Sequence, residues 1–356
     1  MSRMGCLGLT LMVALLSSLP DCLEAPHPAV SIPSRVTHFV STSPAHSSFP
    51  TSFPADTLMI SVEFTNLSSI SPEALQALQK LPKLRELHLS TNQLRSLPGG
   101  LFRDLRALRV LDLTNNLLED LPKEIGTSYS PLQHFVLNGN QLTALEPEWF
   151  QTLGELEWLD VSRNQLQALP PNCFRNLSSL MSLDLSHNLL EGLAPEMLAG
   201  LSNLERLNLE GNRLHSIATH TFDPVPSLQY LFLQHNNLSL LPAALFLGLG
   251  QLHHLDLSNN SLTSLAPCFS GQNLTLDMDL SGNPWACDCG MLSFLQWVTG
   301  PSVSLYASQS TLCVAPENLK GLTVAAAKDK LIVSCSAGPA KHPDTCILSP
   351  GDASSA

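Results

Sequence analysis

The sequence has few charged residues, and the basic ones are the scarcer kind. Only 13% of the 356 residues are charged, with 18 Lys and Arg against 30 Asp and Glu, which gives a formal net charge of −12. Proteins that bind nucleic acid need a basic surface for the phosphates, so this composition argues against DNA or RNA as a partner. It leaves basic proteins as the natural partners.

Long hydrophobic runs are also missing beyond the N-terminus. No later segment has eighteen uninterrupted apolar residues, so no membrane span is predicted. At the N-terminus, Arg3 precedes an apolar run from about Leu7 to Leu16, which small and polar residues follow. This order is typical of a secretory signal peptide, which we place at residues 1–25 with the cleavage point left open. The protein is therefore expected to be secreted and extracellular.

Motifs that carry catalysis are absent as well. The sequence has no nucleophile elbow, no glycine-rich phosphate loop and no histidine or carboxylate set with the spacing of metal ligands. His254, Asp256 and Ser258 fall on one predicted strand, where alternate residues lie about 7 Å apart and do not form a triad. We therefore expect no enzyme activity, catalytic residue, metal or cofactor.

Leucine, by contrast, recurs at a fixed spacing. The pattern LxxLxLxxNxL begins eight times at intervals of 24 residues, if Phe135 and Val161 are accepted as apolar substitutes: Leu84, Leu108, Leu132, Leu156, Leu180, Leu204, Leu228 and Leu252. This is the signature of the leucine-rich repeat. In each LxL segment the two leucines of a short strand point inward, and no single repeat can bury them alone, so neighbouring repeats must stack. The sequence thus predicts an α/β leucine-rich repeat solenoid (a horseshoe) with a concave parallel β-sheet.

Two further residue types keep the same period. An asparagine follows each strand, where its amide can bind backbone groups at the turn: Asn92, Asn116, Asn140, Asn164, Asn188, Asn212, Asn236 and Asn260. Phenylalanines at Phe102, Phe150, Phe174, Phe222 and Phe246 are expected to fill the core beneath the convex side. The repeats are assigned to residues 55–283. Their degenerate first strand points Val62, Phe64, Leu67 and Ile70 inward, and a shortened last turn ends at Asn283.

The two ends of the chain differ from the repeats. Residues 26–54 carry proline, serine and threonine without a hydrophobic period and are predicted to be a flexible arm. Residues 284–335 are predicted to be a C-terminal cysteine cap that covers the end of the solenoid, and residues 336–356 a disordered tail.

The cap contains four cysteines, Cys287, Cys289, Cys313 and Cys335. In a secreted chain disulfides are favoured over a zinc site, and the residues alone leave three pairings open. Cys173 occupies a leucine position of its repeat and is expected to be an inert core thiol. The pairing of Cys173, Cys268 and Cys346 is left open, and Cys22 is expected to leave with the signal peptide.

Strand residues that point away from the core form the predicted concave face. Aspartates there can simply keep the surface soluble, but aromatic side chains among carboxylates favour a protein-binding patch. The residues predicted to bind a partner are Glu86, His88, Asp112, Trp158, Asp160, Asp184, Arg206, Glu210, Tyr230, Phe232 and Asp256. An alternative of another class is a structural or matrix protein that assembles through its convex or terminal surfaces.

Five sequons are consistent with secretion, and N-glycosylation is expected at some of them: Asn66, Asn176, Asn237, Asn259 and Asn273.

Three sets of segments carry a family resemblance: FPADTLMISVEFTNLSSI; the strands LRELHLSTN, LRVLDLTNN, LERLNLEGNRL and LQYLFLQHN; and the cap motif NPWACDC. Over about residues 53–335 the chain resembles the secreted leucine-rich repeat glycoproteins that include leucine-rich alpha-2-glycoprotein and the beta-type phospholipase A2 inhibitors of reptile plasma. The resemblance implies the disulfides Cys287–Cys313 and Cys289–Cys335. The N-terminal cysteine cap usual in such proteins cannot form, because no cysteine lies between Cys22 and Cys173.

The same resemblance implies a plasma protein that acts through protein contacts. In the glycoprotein branch it implies a modulator of growth-factor signalling, with transforming growth factor beta receptors and ligands and the basic protein cytochrome c as partners. In the inhibitor branch it implies a basic phospholipase A2 as the target.

Overall fold

The computed structural model describes residues 37–42, 48–127, 130–265 and 275–335. All of these residues belong to one compact unit that begins at Val36. The predicted signal peptide, the tail, the sequon at Asn273 and the cysteines Cys22, Cys268 and Cys346 lie outside the described residues.

Twelve strands form one sheet in which every pairing is parallel. In sheet order they are β1 (Thr37–Ser41), β2 (Thr57–Val62), β3 (Glu86–His88), β4 (Val110–Asp112), β5 (His134–Val136), β6 (Trp158–Asp160), β7 (Ser182–Asp184), β9 (Arg206–Asn208), β11 (Tyr230–Phe232), β12 (His254–Asp256), β13 (Leu276–Asp279) and β15 (Val303–Tyr306). Two short pairs lie apart from it: β8 (Gly192–Leu193) with β10 (Ser216–Ile217), and β14 (Trp285–Ala286) with β16 (Cys313–Ala315).

The register of the sheet equals the period of the sequence. Leu87 pairs with Leu111, and Leu111 pairs with Phe135, so equivalent residues of successive repeats stand side by side. All three are fully buried, and their strand neighbours point the other way. Between strands the chain returns through turns and short 3-10 helices at Lys123–Gly126, Pro147–Phe150 and Pro195–Met197. The predicted leucine-rich repeat solenoid is confirmed, and its five phenylalanines lie in the core as predicted.

The asparagines form a buried ladder of hydrogen bonds at the turns. Asn164 is typical: its Nδ2 donates to Leu137 O and Val161 O at 3.0 Å, and its Oδ1 accepts from the N–H of Leu142 at 3.0 Å. Each amide thus joins its own repeat to the preceding one. The same arrangement recurs at Asn116, Asn140, Asn188, Asn212, Asn236, Asn260 and Asn283.

The residue before each ladder asparagine has a left-handed backbone, which turns the chain out of the sheet. Three of these positions hold glycine, Gly139, Gly211 and Gly282, and Gly211 is typical of them. Gly211 has φ +66°, and a Cβ there would lie 2.5 Å from His187 Nδ1 of the preceding turn. Close stacking of the turns therefore limits which side chains fit at the positions directly before the ladder asparagines.

The folded part of the chain begins before residue 55, where the repeats were predicted to start. Within the predicted flexible arm, β1 pairs with β2, and Phe49 is buried in the core. The interpretation of residues 26–54 as a flexible arm is therefore wrong for 37–42 and 48–54, and its other residues lie outside the described ones. The physical reason is the end of the solenoid: without β1 and Phe49, β2 would leave an open edge and an uncovered core. Helix α1 (Pro72–Gln79) follows β2 and begins with Ser71 as its N-cap.

One inward residue of the first strand is also corrected. Phe64 is 58% exposed, and Ile60 is buried together with Val62, Leu67 and Ile70. The strand ends at Val62, and Phe64 already has the left-handed backbone of the turn at φ +54°. Alternation of side chains therefore stops before Phe64.

The C-terminal cap covers the last repeat. It contains α2 (Leu292–Val298), α3 (Val324–Cys335) and 3-10 helices at Cys289–Met291 and Ser308–Ser310. Its disulfides Cys287–Cys313 and Cys289–Cys335 confirm the pairing that the family resemblance implied. The buried rings of Trp285 and Phe294 lie over the end of the core. The cap also adds β15 to the main sheet, which extends the concave face beyond the repeats.

Candidate protein-binding face

The concave face consists of the strand side chains that point away from the core. The structure brings all eleven predicted binding residues together on it, ten within strands and Glu210 two residues past the end of β9. Asp160 is the most enclosed of the carboxylates, at 9% exposed, whereas Tyr230 is 40% exposed. Their part in binding stays a prediction.

The aspartates of this face also have a structural role. One carboxylate oxygen of Asp112, Asp184 and Asp256 accepts a hydrogen bond at 2.9 Å from the backbone N–H two residues further on. Asp160 makes the same bond with Ser162. These bonds stabilise the chain where each strand ends. One oxygen holds the turn, which leaves the second for other interactions: Asp184 Oδ2 accepts from Asn208 Nδ2 at 3.0 Å, and Asp112 Oδ2 lies 3.8 Å from His88 Nδ1.

His88 lies between two carboxylates near the N-terminal end of the face. Its Nε2 is 3.3 Å from Glu86 Oε2, and its Nδ1 is 3.8 Å from Asp112 Oδ2. Burial lowers the pKa of His88, but the bonds to Asp112 and Glu86 outweigh it and the net shift is upward. Burial raises the pKa of Asp112, and the bonds to His88 and Thr114 reverse this into a net lowering.

Asp160 behaves differently from Asp112. It is a register partner of Asp184 on the next strand. Burial, followed by the nearby charge of Asp184, raises the pKa of Asp160 to about 6. The middle of the face therefore holds a carboxylate that protonates just below neutral pH.

Aromatic rings gather at the other end of the face. We call the rings of Tyr230, Phe232, His254 and Tyr306 the C-terminal patch. The ring centroids of Phe232 and His254 are 5.0 Å apart, and those of His254 and Tyr306 are 6.2 Å apart. The guanidinium of Arg206 lies 4.2 Å from the centre of the Phe232 ring.

Sequence reasoning missed three residues of this region: Asp277, Asp279 and Tyr306. Asp277 pairs with His254 and Asp279 with Asp256, so both continue the columns of the face into β13. The alternation of apolar and acidic residues in LDMDL (276–280) could have predicted that both aspartates point to the concave face. Tyr306 is 50% exposed on β15 of the cap, and its hydroxyl donates to Asp277 Oδ2 at 3.4 Å. No repeat pattern points to it.

Four predicted glycosylation sites can be placed. Asn66, Asn176, Asn237 and Asn259 are exposed, and none of them lies in a strand of the sheet. Among the described residues no group of three or more His, Cys, Asp or Glu side chains is arranged to hold a metal ion. The helices of this part of the chain are too short or too polar to cross a membrane.

A parallel sheet built from 24-residue turns, with a buried asparagine ladder and an open strand face, defines a leucine-rich repeat protein. The chain belongs to the leucine rich repeat family, whose model matches residues 82–127, 130–190, 178–238 and 226–284.

Two proteins named as phospholipase A2 inhibitors are similar to part of the chain. The chain is 56% identical over 77 residues to "Phospholipase A2 inhibitor" of Gloydius brevicaudus siniticus. It is 54% identical over 79 residues to "Phospholipase A2 inhibitor beta" of Elaphe climacophora. Each alignment spans 22% of this chain and 22% of the relative. Over these stretches, which span about a fifth of the relatives' length, the chain is similar to two proteins named as phospholipase A2 inhibitors.

Solved structures share the fold over a longer stretch. A chain of the octameric complex of Latrophilin 3, Unc5D and FLRT2 is 26% identical, has a TM-score of 0.57 and covers 78% of this chain and 77% of its own length. A leucine-rich repeat protein of Leptospira interrogans is 27% identical with a TM-score of 0.58, and covers 70% of this chain and 66% of its own length.

Proposed function

We propose that the protein is a secreted inhibitor that captures a basic protein on its concave face, and that the target is a basic phospholipase A2. The observation that carries this proposal is the charge of the face. Arg206 is the one Lys or Arg at the outward positions of the main-sheet strands from β3 to β13 and at the positions two residues past each strand end. Eight carboxylates stand at the same positions: Glu86, Asp112, Asp160, Asp184, Glu210, Asp256, Asp277 and Asp279.

Such a face attracts a basic protein before contact. Carboxylates aligned in one trough add their fields, which raises the association rate with a cationic partner and weakens as salt is added. The rings of Tyr230 and Tyr306 then offer contact area at low entropic cost, as aromatic residues do at the centres of interfaces. Charge supports encounter, and the rings support a long-lived complex.

Two further features support this assignment. The two relatives named as phospholipase A2 inhibitors favour the inhibitor branch over the growth-factor branch. The four exposed sequons that the structure describes lie outside the strands, so sugar there would leave the concave face open to a partner. The two cap disulfides fit the oxidising conditions of the secretory route.

The test is binding and inhibition with matched phospholipases. The glycosylated full-length protein is immobilised, and a basic and an acidic phospholipase A2 are passed over it at low and at high salt. We expect the basic enzyme to bind and to lose activity, with affinity that falls as salt rises, and the acidic enzyme to bind weakly or not at all. Equal binding of the two enzymes, or binding that is independent of salt, would contradict the proposal.

Substitutions on the concave face test whether this surface binds the partner. Asp112→Asn, Asp184→Asn and Asp256→Asn together remove three charges from the face and should lower affinity at least about tenfold, mainly through the association rate. The matched control changes three exposed carboxylates outside the strands, Glu119→Gln, Glu191→Gln and Glu196→Gln, and should bind as the unchanged protein does. Binding of a transforming growth factor beta ligand instead of the phospholipase would move the protein to the other branch.

A further inference from the structure

The C-terminal patch and the carboxylates around it are built partly from the last repeats and partly from the cap. Tyr230, His254 and Asp277 lie in one row across β11, β12 and β13, and Phe232, Asp256, Asp279 and Tyr306 lie in the next row across β11, β12, β13 and β15. Repeats and cap therefore contribute neighbouring side chains to one area of the sheet.

The ring faces of this patch are not equally open. The guanidinium of Arg206 already covers the Phe232 ring at 4.2 Å, and His254 lies against the same ring. Tyr230 and Tyr306 are the most exposed rings of the patch, at 40% and 50%. A ligand therefore meets the two tyrosines first, while Phe232 and Arg206 form their fixed support.

The charge next to Tyr306 is negative and unbalanced. Asp256 and Asp279 each use one oxygen for a backbone N–H, at 2.9 Å from Ser258 and Ser281, and Asp277 accepts from the Tyr306 hydroxyl. Within the described part of the chain none of these three carboxylates takes part in a salt bridge. Burial lowers the pKa of His254, so this histidine is neutral at pH 7 and does not offset them.

We propose that this area is the docking site for an exposed lysine or arginine side chain of the protein partner, and that the cap residue Tyr306 is part of it. The proposal rests on the proposed capture of a basic protein and names the place of one contact. Charge complementarity fixes the sign of the occupant, because three carboxylates border two exposed rings whose faces attract cations. Arg206 repels a second cation from Phe232, which leaves the Tyr306 side as the favoured position.

The cap holds this position rigid. Strand β15 is hydrogen bonded to β13, and α2 carries the buried Phe294, Leu295 and Val298 beneath it. The disulfides Cys287–Cys313 and Cys289–Cys335 tie the same region together. Cap and last repeats thus make one preorganised surface, and the cap does more than cover the core.

The experiment uses two probes on the full-length protein: a fluorescent tetralysine peptide at physiological salt, and a basic phospholipase A2. Tyr306→Ala and Asp277→Asn should each weaken tetralysine binding about tenfold. Tyr306→Phe, which keeps the ring, should retain most of the affinity. Val314→Ala changes an exposed cap residue on the separate sheet of β14 and β16 and should have no effect. Unfolding curves of each variant show that the cap is intact.

The outcomes separate this site from the proposed target. Loss of tetralysine binding in Tyr306→Ala and Asp277→Asn, without any binding of the phospholipase by the unchanged protein, would support the docking site and refute the target. Equal tetralysine binding by all variants, or no tetralysine binding by the unchanged protein, would overturn the docking site. Phospholipase binding that survives both substitutions unchanged would also overturn it while leaving the target in place.

Discussion

Asn208 donates a hydrogen bond from its Nδ2 to Asp184 Oδ2 at 3.0 Å, across two neighbouring strands in which the residues are register partners. Its Oδ1 accepts from the backbone N–H of Glu210 at 3.1 Å, in the way that Asp184 Oδ1 accepts from Ser186 at 2.9 Å. An amide therefore does the structural work of a carboxylate at this position. The charge of the aspartate column is not needed for the turn.

Asparagine and alanine at Asp256 should consequently have different effects on stability. Asp256→Asn keeps an acceptor for the N–H of Ser258 and should change the free energy of unfolding by less than about 0.5 kcal/mol. Asp256→Ala leaves that N–H without its partner and should cost about 1 kcal/mol. Denaturant unfolding of the two variants measures the difference. Equal destabilisation by both would show that the charge itself stabilises the turn.

Substitution of an asparagine of the buried ladder should reduce stability more than substitution of Asp256. Asn164→Ala removes the amide that bonds Leu137 O, Val161 O and the N–H of Leu142, all buried, and should destabilise the protein by roughly 3 kcal/mol or more. The neighbouring Gln165 is exposed, so Gln165→Ala serves as the control and should change stability little. A small loss at Asn164, measured by the midpoint of unfolding, would mean that water replaces the amide.

Most of this architecture could be predicted from the period of the sequence. Leu87 and Leu111 occupy equivalent positions because they are 24 residues apart, and the solenoid converts that spacing directly into register. Asn164 is likewise placed by its repeat alone. Side chains of the regular strands could therefore be assigned to the core or to the concave face before the structure was known.

The ends of the solenoid could not be predicted in this way. At β1 the pairing with β2 is made by backbone groups, which need no recognisable side-chain pattern. At Phe64 the alternation of the strand was extended past its end, although the turn had already begun. Tyr306 reaches the concave face through tertiary packing of the cap. These residues lie where the repeat stops and local spacing no longer determines position.

Cys173 should be inert in the native protein. It is the free cysteine of the described residues, and burial, then the charges of Glu146 and Glu148, raises the pKa of its thiol to about 12. Because the thiolate is the reactive form, Cys173 should resist alkylation at pH 8 and react only after denaturation. Peptide mass spectrometry identifies the labelled residue directly. Labelling of Cys173 at the same rate in folded and unfolded protein would show that its repeat opens readily.

The raised pKa of Asp160 makes a prediction about stability. A carboxyl with a higher pKa in the folded than in the unfolded state destabilises the fold when it is ionised, above pH 6, and this penalty disappears as pH falls toward 4. Asp160→Asn should therefore stabilise the protein at pH 7.5 by roughly 2 to 3 kcal/mol. The gain should vanish near pH 4. Denaturant unfolding at both pH values tests it, with Asp184→Asn for comparison. A gain that is the same at both pH values would refute a titration of Asp160.

Acidification should also weaken capture of a basic partner. Between pH 7.4 and 5.5, Asp160 becomes protonated, because burial and then the charge of Asp184 raise its pKa to about 6. His88 is protonated at pH 5.5, because its bonds to Asp112 and Glu86 more than offset the effect of burial and raise its pKa. The face loses negative charge in its middle and carries a positive charge on His88 near its N-terminal end at the lower pH, and both oppose a cationic protein.

Between pH 7.4 and 5.5 the affinity for a basic phospholipase A2 should fall roughly tenfold, which is equivalent to about 1.4 kcal/mol. Surface plasmon resonance at the two pH values measures it on the unchanged protein and on the double variant Asp160→Asn, His88→Gln. In the double variant the ratio of the two affinities should shrink, because neither residue can then change its charge, while titration of the partner itself affects both proteins equally. A ratio that stays the same in the variant would assign the pH dependence to the partner and not to these two residues.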